Sequence, residues 1–399
     1  MKRLNALLLL IGLCFALSAC GKEQQPAANP GNSALVDMST PTPTASPDNS
    51  QATDKATPTP TVSPSPTEGP TVTDSPDPEP TPDLSVPPEG MVKSPLTGLW
   101  IPEDTALYRP YAVMINNIKV ASPQSGLSAA DILYEALVEY GITRFMAVFE
   151  AQDAMADTTS RIGSVRSARH YYVNFANELD AIYVHFGGTS YATDEINSSK
   201  ADEVDGIKGA LANRAFSRDE KIQSPHNVFL NYSVMLNEVF NSSLRSEWAP
   251  AEDRFFRFYE ADTTPENGQK ADRVTIQFSQ SARPYLIYDD ENREYTRYQF
   301  GVLHKDANND QPLTFKNIIV QYVKHTEISN GYLDLELENA EGDGYYVTNG
   351  TAIPIVWKRN ETENECRYYD LAGNRLSINV GKTYVAIYPD DYRGGVIFE

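Results

Sequence analysis

The feature that most restricts the fold of this chain is a long segment, from residue 21 to about residue 90, without any aromatic residue. Fourteen prolines lie between Pro41 and Pro88, separated mainly by Thr, Ser and Asp. Such a segment cannot bury enough apolar surface to offset the entropy lost on ordering, and its prolines favour extended polyproline II structure. We therefore expect a disordered, semi-stiff spacer, so the core must come from the 309 residues (399 minus 90) that follow.

The first twenty residues have the order of a bacterial lipoprotein signal. Lys2 and Arg3 give a positive start, residues 4–17 are mainly apolar, and the run ends in Leu-Ser-Ala-Cys. The apolar run is too short for a comfortable membrane-spanning helix. The sequence predicts a signal peptide over residues 1–19, a lipid on Cys20 and a mature protein at the extracellular face of the membrane. An ordinary secretory signal, in which Cys20 is incidental, is the alternative.

The cysteine content excludes an internal disulfide. Cys14 leaves with the predicted signal and Cys20 takes the lipid, which leaves Cys366 alone. A chain outside the cell without disulfides must be held together by its core. Cys366 lies in a polar, strand-like context without a nearby histidine, which does not favour a catalytic thiol.

The charge of the chain is strongly acidic but unevenly distributed. The formal net charge is −21, and residues 21–90 contribute two Lys against ten Asp plus Glu, or −8. This acidity argues against nucleic acid as a partner. By contrast, no acidic residue occurs over residues 158–177, which contain Arg161, Arg166, Arg169 and His170.

The first half of the remaining chain, residues 91–248, alternates strand-like and helix-like segments. Strands are predicted over residues 111–117, 142–150 and 181–188. Helices are predicted over residues 122–141, with Ser128 as a cap, over residues 167–180, and from residue 191 onward. This order is typical of an α/β (or α+β) domain with a mixed sheet and covering helices.

The second half, residues 249–399, consists of short runs rich in Val, Ile, Thr and Tyr. Turn residues such as Asn349-Gly350 and Ala372-Gly373-Asn374 separate these runs. The pattern predicts a mainly antiparallel β domain. We place the boundary between the two domains near residues 248 and 249, where Pro250 interrupts a polar segment.

Several long strings resemble the YerB-like lipoproteins, a bacterial family with N- and C-terminal domains of unknown function. In the first half the strings are "RPYAVMINN", "RIGSVRSARHYYVNFANELDAIYVHFGG" and "SPHNVF", and in the second half "GDGYYVTNGTAIPIVWKR". The resemblance covers most of residues 94–395. It implies a lipoprotein and a two-part architecture, and it supplies neither an activity nor a catalytic residue.

Polar residues gather near the predicted strand ends of the first half and suggest an anion site. Arginine binds carboxylates and phosphates through paired hydrogen bonds, and helix N-termini add N–H donors. Outside a Gram-positive membrane the abundant anions are muropeptide carboxylates, teichoic acid phosphates and lipid headgroups; a protein partner in wall metabolism is a second option. The candidate ligand-binding residues are Glu135, Arg144, Arg161, Arg166, Ser167, Arg169, His185, Gly187, Gly188, Arg214, His226 and Asn227.

Two alternatives remain open for the same residues. In the first, the protein is a scaffold whose Arg166 and Arg169 pair internally with acids, for which the candidates are Glu135, Glu139 and Glu178. In the second, it is an envelope hydrolase or transferase that uses His226 or His185 with a serine such as Ser167 or Ser224. No G-x-S-x-G segment frames a serine, and no H-x-H or H-E-x-x-H spacing occurs, so we expect neither a metal nor a cofactor.

The segment "DANND" (residues 306–310) resembles a calcium loop in part. Asp306, Asn308 and Asp310 have the required spacing, but Gln311 replaces the following glycine and Asn317 replaces the last acidic ligand. We therefore interpret this segment as a polar hairpin turn.

Overall fold

The computed structural model describes residues 87–150, 161–209, 212–248, 255–360 and 365–399. The predicted signal peptide, Cys20 and nearly all of the predicted spacer lie outside these residues. The helices are α1 (His170–Glu178), α2 (Ser190–Ser199), α3 (Ala212–Ala215) and α4 (Tyr232–Phe240).

Short strands dominate both halves. Before residue 249 they are β1 (Met91–Lys93), β2 (Trp100–Pro102), β3 (Tyr111–Asn117), β4 (Ile132–Leu137), β5 (Thr143–Phe149), β6 (Arg161–Gly163), β7 (Ile182–His185), β8 (Glu203–Asp205), β9 (Phe216–Arg218) and β10 (Val228–Asn231). After it they are β11 (Arg257–Phe258), β12 (Gln269–Lys270), β13 (Arg273–Ile276), β14 (Tyr285–Asp289), β15 (Glu294–Gln299), β16 (Val302–Leu303), β17 (Thr314–Phe315), β18 (Asn317–Val323), β19 (His325–Ser329), β20 (Tyr332–Leu335), β21 (Glu341–Thr348), β22 (Thr351–Asn360), β23 (Glu365–Tyr369), β24 (Ser377–Ile378), β25 (Thr383–Pro389) and β26 (Val396–Phe398).

A mixed sheet of eleven strands takes members from both halves of the chain. Its order is β12-β22-β21-β18-β25-β4-β5-β3-β7-β8, with β23 beside β22. In the first half β3, β7 and β8 pair in parallel, whereas β5 is antiparallel to both of its neighbours. Most pairs in the second half are antiparallel, including β13–β14, β14–β15, β18–β21 and β21–β22. The predicted fold class is confirmed.

The two halves meet within this sheet, where β4 pairs in parallel with β25. The domain boundary near residues 248 and 249 stays a prediction, because residues 249–254 lie outside the described part of the chain. Two apolar layers cover the sheet faces, and each draws residues from both halves. One layer contains Val113 and Val320, and the other contains Met114 and Ile319.

Helices α1 and α2 form where the sequence predicts them. Their buried residues, among them Tyr172, Phe175 and Ala192, belong to the same apolar layer as Met114 of the sheet. Thr189 caps α2 by accepting a hydrogen bond from the Ala192 amide at 3.1 Å. Within the described residues, no helix combines the length and the apolar character needed to cross a bilayer.

The helix predicted over residues 122–141 is wrong. The segment Ile132–Leu137 is instead strand β4, between β5 and β25. Ile132 and Tyr134 pack in one apolar layer and Leu133 in the other. A central strand is buried on both faces, so its sequence is a nearly continuous apolar run. Because apolar and polar residues do not alternate in such a run, the sequence alone does not distinguish the strand from a buried helix.

A buried polar network crosses between the halves at Glu135. One of its carboxylate oxygens accepts hydrogen bonds from Asn117 Nδ2 at 2.9 Å and Thr143 Oγ1 at 2.6 Å. The other accepts from Arg297 Nη2 and from the Tyr384 hydroxyl, both at 2.6 Å. The side chains of Glu135 and Arg297 are each 0 % exposed. The network therefore links strands on both sides of the predicted boundary.

The calcium-like segment anchors another part of the chain. Asp306 is buried, and its carboxylate accepts from the amides of Gly126 and Asn308 at 2.9 and 2.8 Å. It also accepts from the amide and the hydroxyl of Ser128, both at 2.8 Å. These donors satisfy the carboxylate without a cation, so Asp306 holds the loop that leads into β4.

We expect Asp306→Ala to destabilise the protein by about 1–3 kcal/mol, because four hydrogen-bond donors lose their acceptor. Thermal unfolding of both proteins, with calcium and with a chelator, measures this. The unfolding midpoint of the wild type should be the same in both buffers. Asp310→Asn is the control, because Asp310 is 83 % exposed and pairs with Lys305, and asparagine tolerates the left-handed backbone at this position, where φ is 60°. A rise of the wild-type unfolding midpoint in calcium would contradict the structural role of Asp306.

Candidate functional site

The segment without acidic residues joins the sheet at the carboxyl ends of two parallel strands, β3 and β7. Residues 165–168 lie between the carboxyl ends of β3 and β7. The Arg166 amide donates to the Met114 carbonyl at 2.9 Å, and the Arg166 carbonyl accepts from the Phe186 amide at 3.0 Å. The Ala168 amide donates to the Gly187 carbonyl at 2.8 Å. Ligands of open α/β sheets bind in such crevices at the carboxyl ends of strands.

Three guanidinium groups surround this segment with one carboxylate among them. Arg169 forms a two-pronged ion pair with Glu139, with 2.7 Å between Nη2 and Oε2. Arg144 donates to the Ser167 carbonyl at 2.6 Å and lies 4.0 Å from Glu139. Arg166 completes the group, which we call the arginine cluster: Arg144, Arg166, Arg169 and Glu139. Three positive charges and one negative charge leave the cluster at +2.

The protonation behaviour of the cluster reflects this excess charge. Burial, and then the charge of Arg169, lowers the pKa of Arg144 to about 10. The same two causes lower the pKa of Arg166. Burial would raise the pKa of Glu139, but the hydrogen bonds and charge of Arg169, with Arg144, outweigh it and lower that pKa. An anion placed here would therefore be stabilised by more than one guanidinium.

Arg166 is the least satisfied member of the cluster. Its Nη1 donates to the Pro225 carbonyl at 3.1 Å, and its Nε is buried without a hydrogen-bond acceptor among the described residues. Next to it, His226 Nδ1 lies 2.9 Å from Asn116 Nδ2. Burial and the charge of Arg166 lower the pKa of His226. If the Asn116 amide nitrogen donates here, the neutral ring carries its proton on Nε2, as a further donor.

His185 lies beside this crevice but is fully engaged. Its Nδ1 contacts the Gly187 carbonyl at 2.9 Å, and its Nε2 contacts Glu203 at 2.8 Å. Asp205 lies 3.9 Å from Nδ1 and accepts the Gly187 amide at 2.8 Å. Ligand atoms of His185, Glu203 and Asp205 lie within 4.8 Å of one another, close enough to hold a metal ion. However, the two carboxylates approach different ring nitrogens, at 2.8 and 3.9 Å, which suits hydrogen bonding to the ring better than a shared cation.

The remaining predicted site residues fall into two groups. Gly188 borders the cluster segment, since a Cβ there would lie 3.3 Å from that of Ala168. Four others have side-chain partners outside the cluster, acids for two of them and arginines for the other two, and their place in one cleft stays a prediction. The pairs are Arg161 with Asp219, Arg214 with Glu238, Asn227 with Arg218, and Glu135 with Arg297.

Reasoning from the sequence missed the contribution of the second half to this site. The Cζ of Arg169 lies 5.8 Å from the ring centre of Tyr332 in β20, within range of a cation–π contact. Nothing in the sequence relates these two positions. Cys366 is buried, and burial raises the pKa of its thiol, so the prediction that it is not a reactive thiol agrees with its surroundings.

Comparison with known proteins identifies relatives over most of the chain. Residues 96–245 match the model of the N-terminal domain of a protein family of unknown function, DUF3048, and residues 274–385 match the model of its C-terminal domain. The "Putative lipoprotein YerB" of Bacillus subtilis (strain 168) is 34% identical over 307 residues, which span 75% of this chain and 87% of that protein. A crystal structure of YerB from Bacillus subtilis aligns with a TM-score of 0.66 and 29% identity, covering 77% of this chain and 99% of that one.

Proposed function

This chain belongs to the DUF3048 family and is similar to the putative lipoprotein YerB. Because its arginine cluster also carries unbalanced positive charge, we propose that it is a lipid-anchored protein that binds an anionic envelope ligand. The ligand occupies the arginine cluster. The observation that carries this proposal is the charge of +2 around Arg166, whose buried Nε has no acceptor among the described residues. A buried donor without an acceptor is costly, and a bound anion would supply one.

The anchoring part of the proposal rests on the beginning of the chain. Its Leu-Ser-Ala-Cys order predicts a lipid on Cys20, and the related protein from Bacillus subtilis is called a putative lipoprotein. A lipid at Cys20 followed by a proline-rich spacer would hold the binding crevice away from the membrane, on its extracellular face. Anionic groups of the surrounding wall and membrane would then be within reach.

The scaffold alternative explains only part of the cluster. Arg169 is paired with Glu139, as that alternative expects. Arg144 and Arg166, by contrast, donate mainly to backbone carbonyls, which carry no compensating charge. A purely architectural cluster would be expected to balance its charges, since unbalanced charge in a partly buried site is unfavourable.

The enzyme alternative has less support. Within the described ranges, neither His226 nor His185 hydrogen-bonds to a serine hydroxyl, so the geometry offers no activated nucleophile. The lowered pKa of His226 would keep its ring neutral near pH 7. If Asn116 donates to Nδ1, the Nε2–H of this neutral ring suits anion binding through a hydrogen bond.

We expect Arg166→Ala to weaken binding of inorganic phosphate by about tenfold or more, because a charge-assisted hydrogen bond is lost. The unfolding midpoint should barely move, because the only described hydrogen bond of this guanidinium is to the Pro225 carbonyl. Isothermal titration calorimetry on the full chain, purified in detergent, measures the first effect, and thermal melts measure the second.

Arg214→Ala is the matched control, because that side chain is 63% exposed and pairs with Glu238. It removes the same charge from the surface and should leave phosphate affinity within about twofold, since exposed charges are screened by salt. Equal losses of phosphate affinity in the two variants would mean that the effect of Arg166→Ala comes from the change in net charge alone. Absence of phosphate binding by the wild type, together with absence of binding to carboxylates such as lactate, would overturn the proposal.

A further inference from the structure

One aromatic residue at the edge of the arginine cluster is exposed in an unusual backbone conformation. Tyr140 directly follows Glu139, and its exposed fraction is 85%, the highest among the large hydrophobic residues described. Its φ is 59°, in the left-handed region, and Gly141 after it has a φ of 70°. Bulky residues rarely adopt this region because of the clash at Cβ. Packing therefore does not account for this tyrosine, and strain of this kind is common at binding sites.

The hairpin formed by β19 and β20 reaches the same edge from the second half of the chain. A ring carbon of Tyr140 lies 3.3 Å from where a Cβ of Gly331 would be, so the ring lies against the hairpin tip. The next residue, Tyr332, approaches the guanidinium of Arg169. The hairpin thus brings a second tyrosine to the cluster, beside the first.

Residues at the starts of α1 and α2 fix the position of this hairpin. His170 Nε2 lies 3.0 Å from Asp334 Oδ1, and the Tyr191 hydroxyl lies 3.2 Å from Ser329 Oγ. The ring of Tyr191 stands 6.1 Å from that of Tyr332, at 64°. Three tyrosines from separate segments are therefore linked to the cluster through the hairpin: Tyr332 contacts Arg169, Tyr191 packs against Tyr332, and Tyr140 lies against Gly331.

We propose that Tyr140, Tyr191 and Tyr332 form an aromatic rim that binds the ring of a sugar whose phosphate or carboxylate occupies the arginine cluster. The inference rests on the function proposed above and adds the ligand class, an anionic saccharide. Sugar rings present an apolar C–H face, which matches the face of an aromatic ring, and hydroxyl edges, which match tyrosine hydroxyls. The guanidinium groups would bind the charged substituent.

Packing between α2 and the hairpin is the plainer explanation for two of these tyrosines. Tyr191 and Tyr332 contact each other, and both are partly buried. Tyr140 separates the two explanations, because a residue that is 85% exposed contributes little to the core. Tyr140 directly follows Glu139 in the chain, beside the arginine cluster, and an exposed apolar side chain next to a charged group commonly marks a ligand contact.

The test uses the full chain and compares its affinity for ligands that contain a sugar ring with its affinity for ligands that lack one. Glucose 6-phosphate is titrated against inorganic phosphate, and N-acetylmuramic acid against lactate, so that the two charged substituents are distinguished. We expect the wild type to bind at least one ringed ligand up to about tenfold more tightly than its ringless counterpart. In Tyr140→Ala and Tyr332→Ala this ratio of affinities should fall toward one.

Tyr392→Ala is the control, because Tyr392 is also exposed, at 45%, but packs against Tyr388 elsewhere in the fold. It should keep the wild-type ratio. A wild-type ratio of one, with phosphate still bound, would overturn the saccharide inference and leave the proposed anion site intact. A ratio that persists in Tyr140→Ala would also overturn it. Failure of every anion to bind would remove both proposals.

Discussion

Glu139→Gln is expected to destabilise the protein at pH 7 by about 3–5 kcal/mol, and added phosphate should restore part of that loss. Glu139 is the only carboxylate in the arginine cluster, and its side chain is 10% exposed. Its removal leaves three guanidinium groups close together without a counterion. An anion that binds only the folded state then contributes about 2.7 kcal/mol at a concentration one hundred times its dissociation constant.

Thermal melts in phosphate and in chloride, at equal ionic strength, measure this effect. The phosphate-dependent rise of the unfolding midpoint should be larger in Glu139→Gln than in the wild type. Glu238→Gln is the control, because Glu238 pairs with the exposed Arg214, and such surface pairs contribute about 1 kcal/mol or less. If phosphate and chloride stabilise Glu139→Gln equally, the excess charge does not form an anion site.

The destabilisation caused by Glu139→Gln should become smaller as the pH falls. The folded-state pKa of Glu139 lies below its ordinary value of 4.5. A carboxyl group with a lowered pKa stabilises the folded state above its unfolded pKa, and this stabilisation is lost as the pH falls through the folded pKa. The stability difference between wild type and Glu139→Gln should therefore be full at pH 7 and should narrow below about pH 4.5.

Glu135→Leu should destabilise the protein by an amount similar to that for Glu139→Gln, for a different reason. The substitution leaves Arg297 charged and fully buried without its ion-pair partner, which typically costs about 3–5 kcal/mol and lowers the unfolding midpoint by roughly 10 °C. The double variant Glu135→Leu with Arg297→Met should recover much of this loss, because no charge is then left buried. Chemical denaturation of the wild type, both single variants and the double variant gives the coupling between the two residues.

The surface pair Arg393 and Asp343 provides the comparison for that experiment. Its side chains are 46% and 56% exposed, so Asp343→Ala should cost about 1 kcal/mol or less. A loss of about 1 kcal/mol or less in Glu135→Leu as well would mean that Arg297 finds water or another acceptor, and the network would not hold the halves together.

Much of the secondary structure follows from the sequence, and the one large error has a physical cause. The segments around α1 and α2 have helical periodicity together with one buried face, so they are recognisable. Strands β3 and β5 are short apolar runs between turn signals and are recognisable as well. Strand β4 is equally apolar, but it occupies the middle of a sheet that both halves complete, and this context is absent from its local sequence.

The candidate site was only partly predictable. The stretch without acids draws attention to Arg166 and Arg169, and the fold brings these residues together with Arg144. The sequence offered three acids as partners for the two arginines. Glu139 pairs with Arg169, whereas Glu135 and Glu178 pair with arginines of the second half. Local composition cannot assign such pairs, because the partners are far apart along the chain.

The sequence by itself predicted the lipid address and the spacer, and it determined the mixed α/β first half and the strand-rich second half, since these depend on composition and local periodicity. Only the tertiary structure decided which charges remain unbalanced. Arg169 meets a carboxylate 30 residues away, and Glu135 meets an arginine 162 residues away. The excess charge at Arg166 and the contact of Tyr332 with Arg169 are therefore products of long-range packing, which brings groups from distant segments within hydrogen-bonding and ring-contact distance.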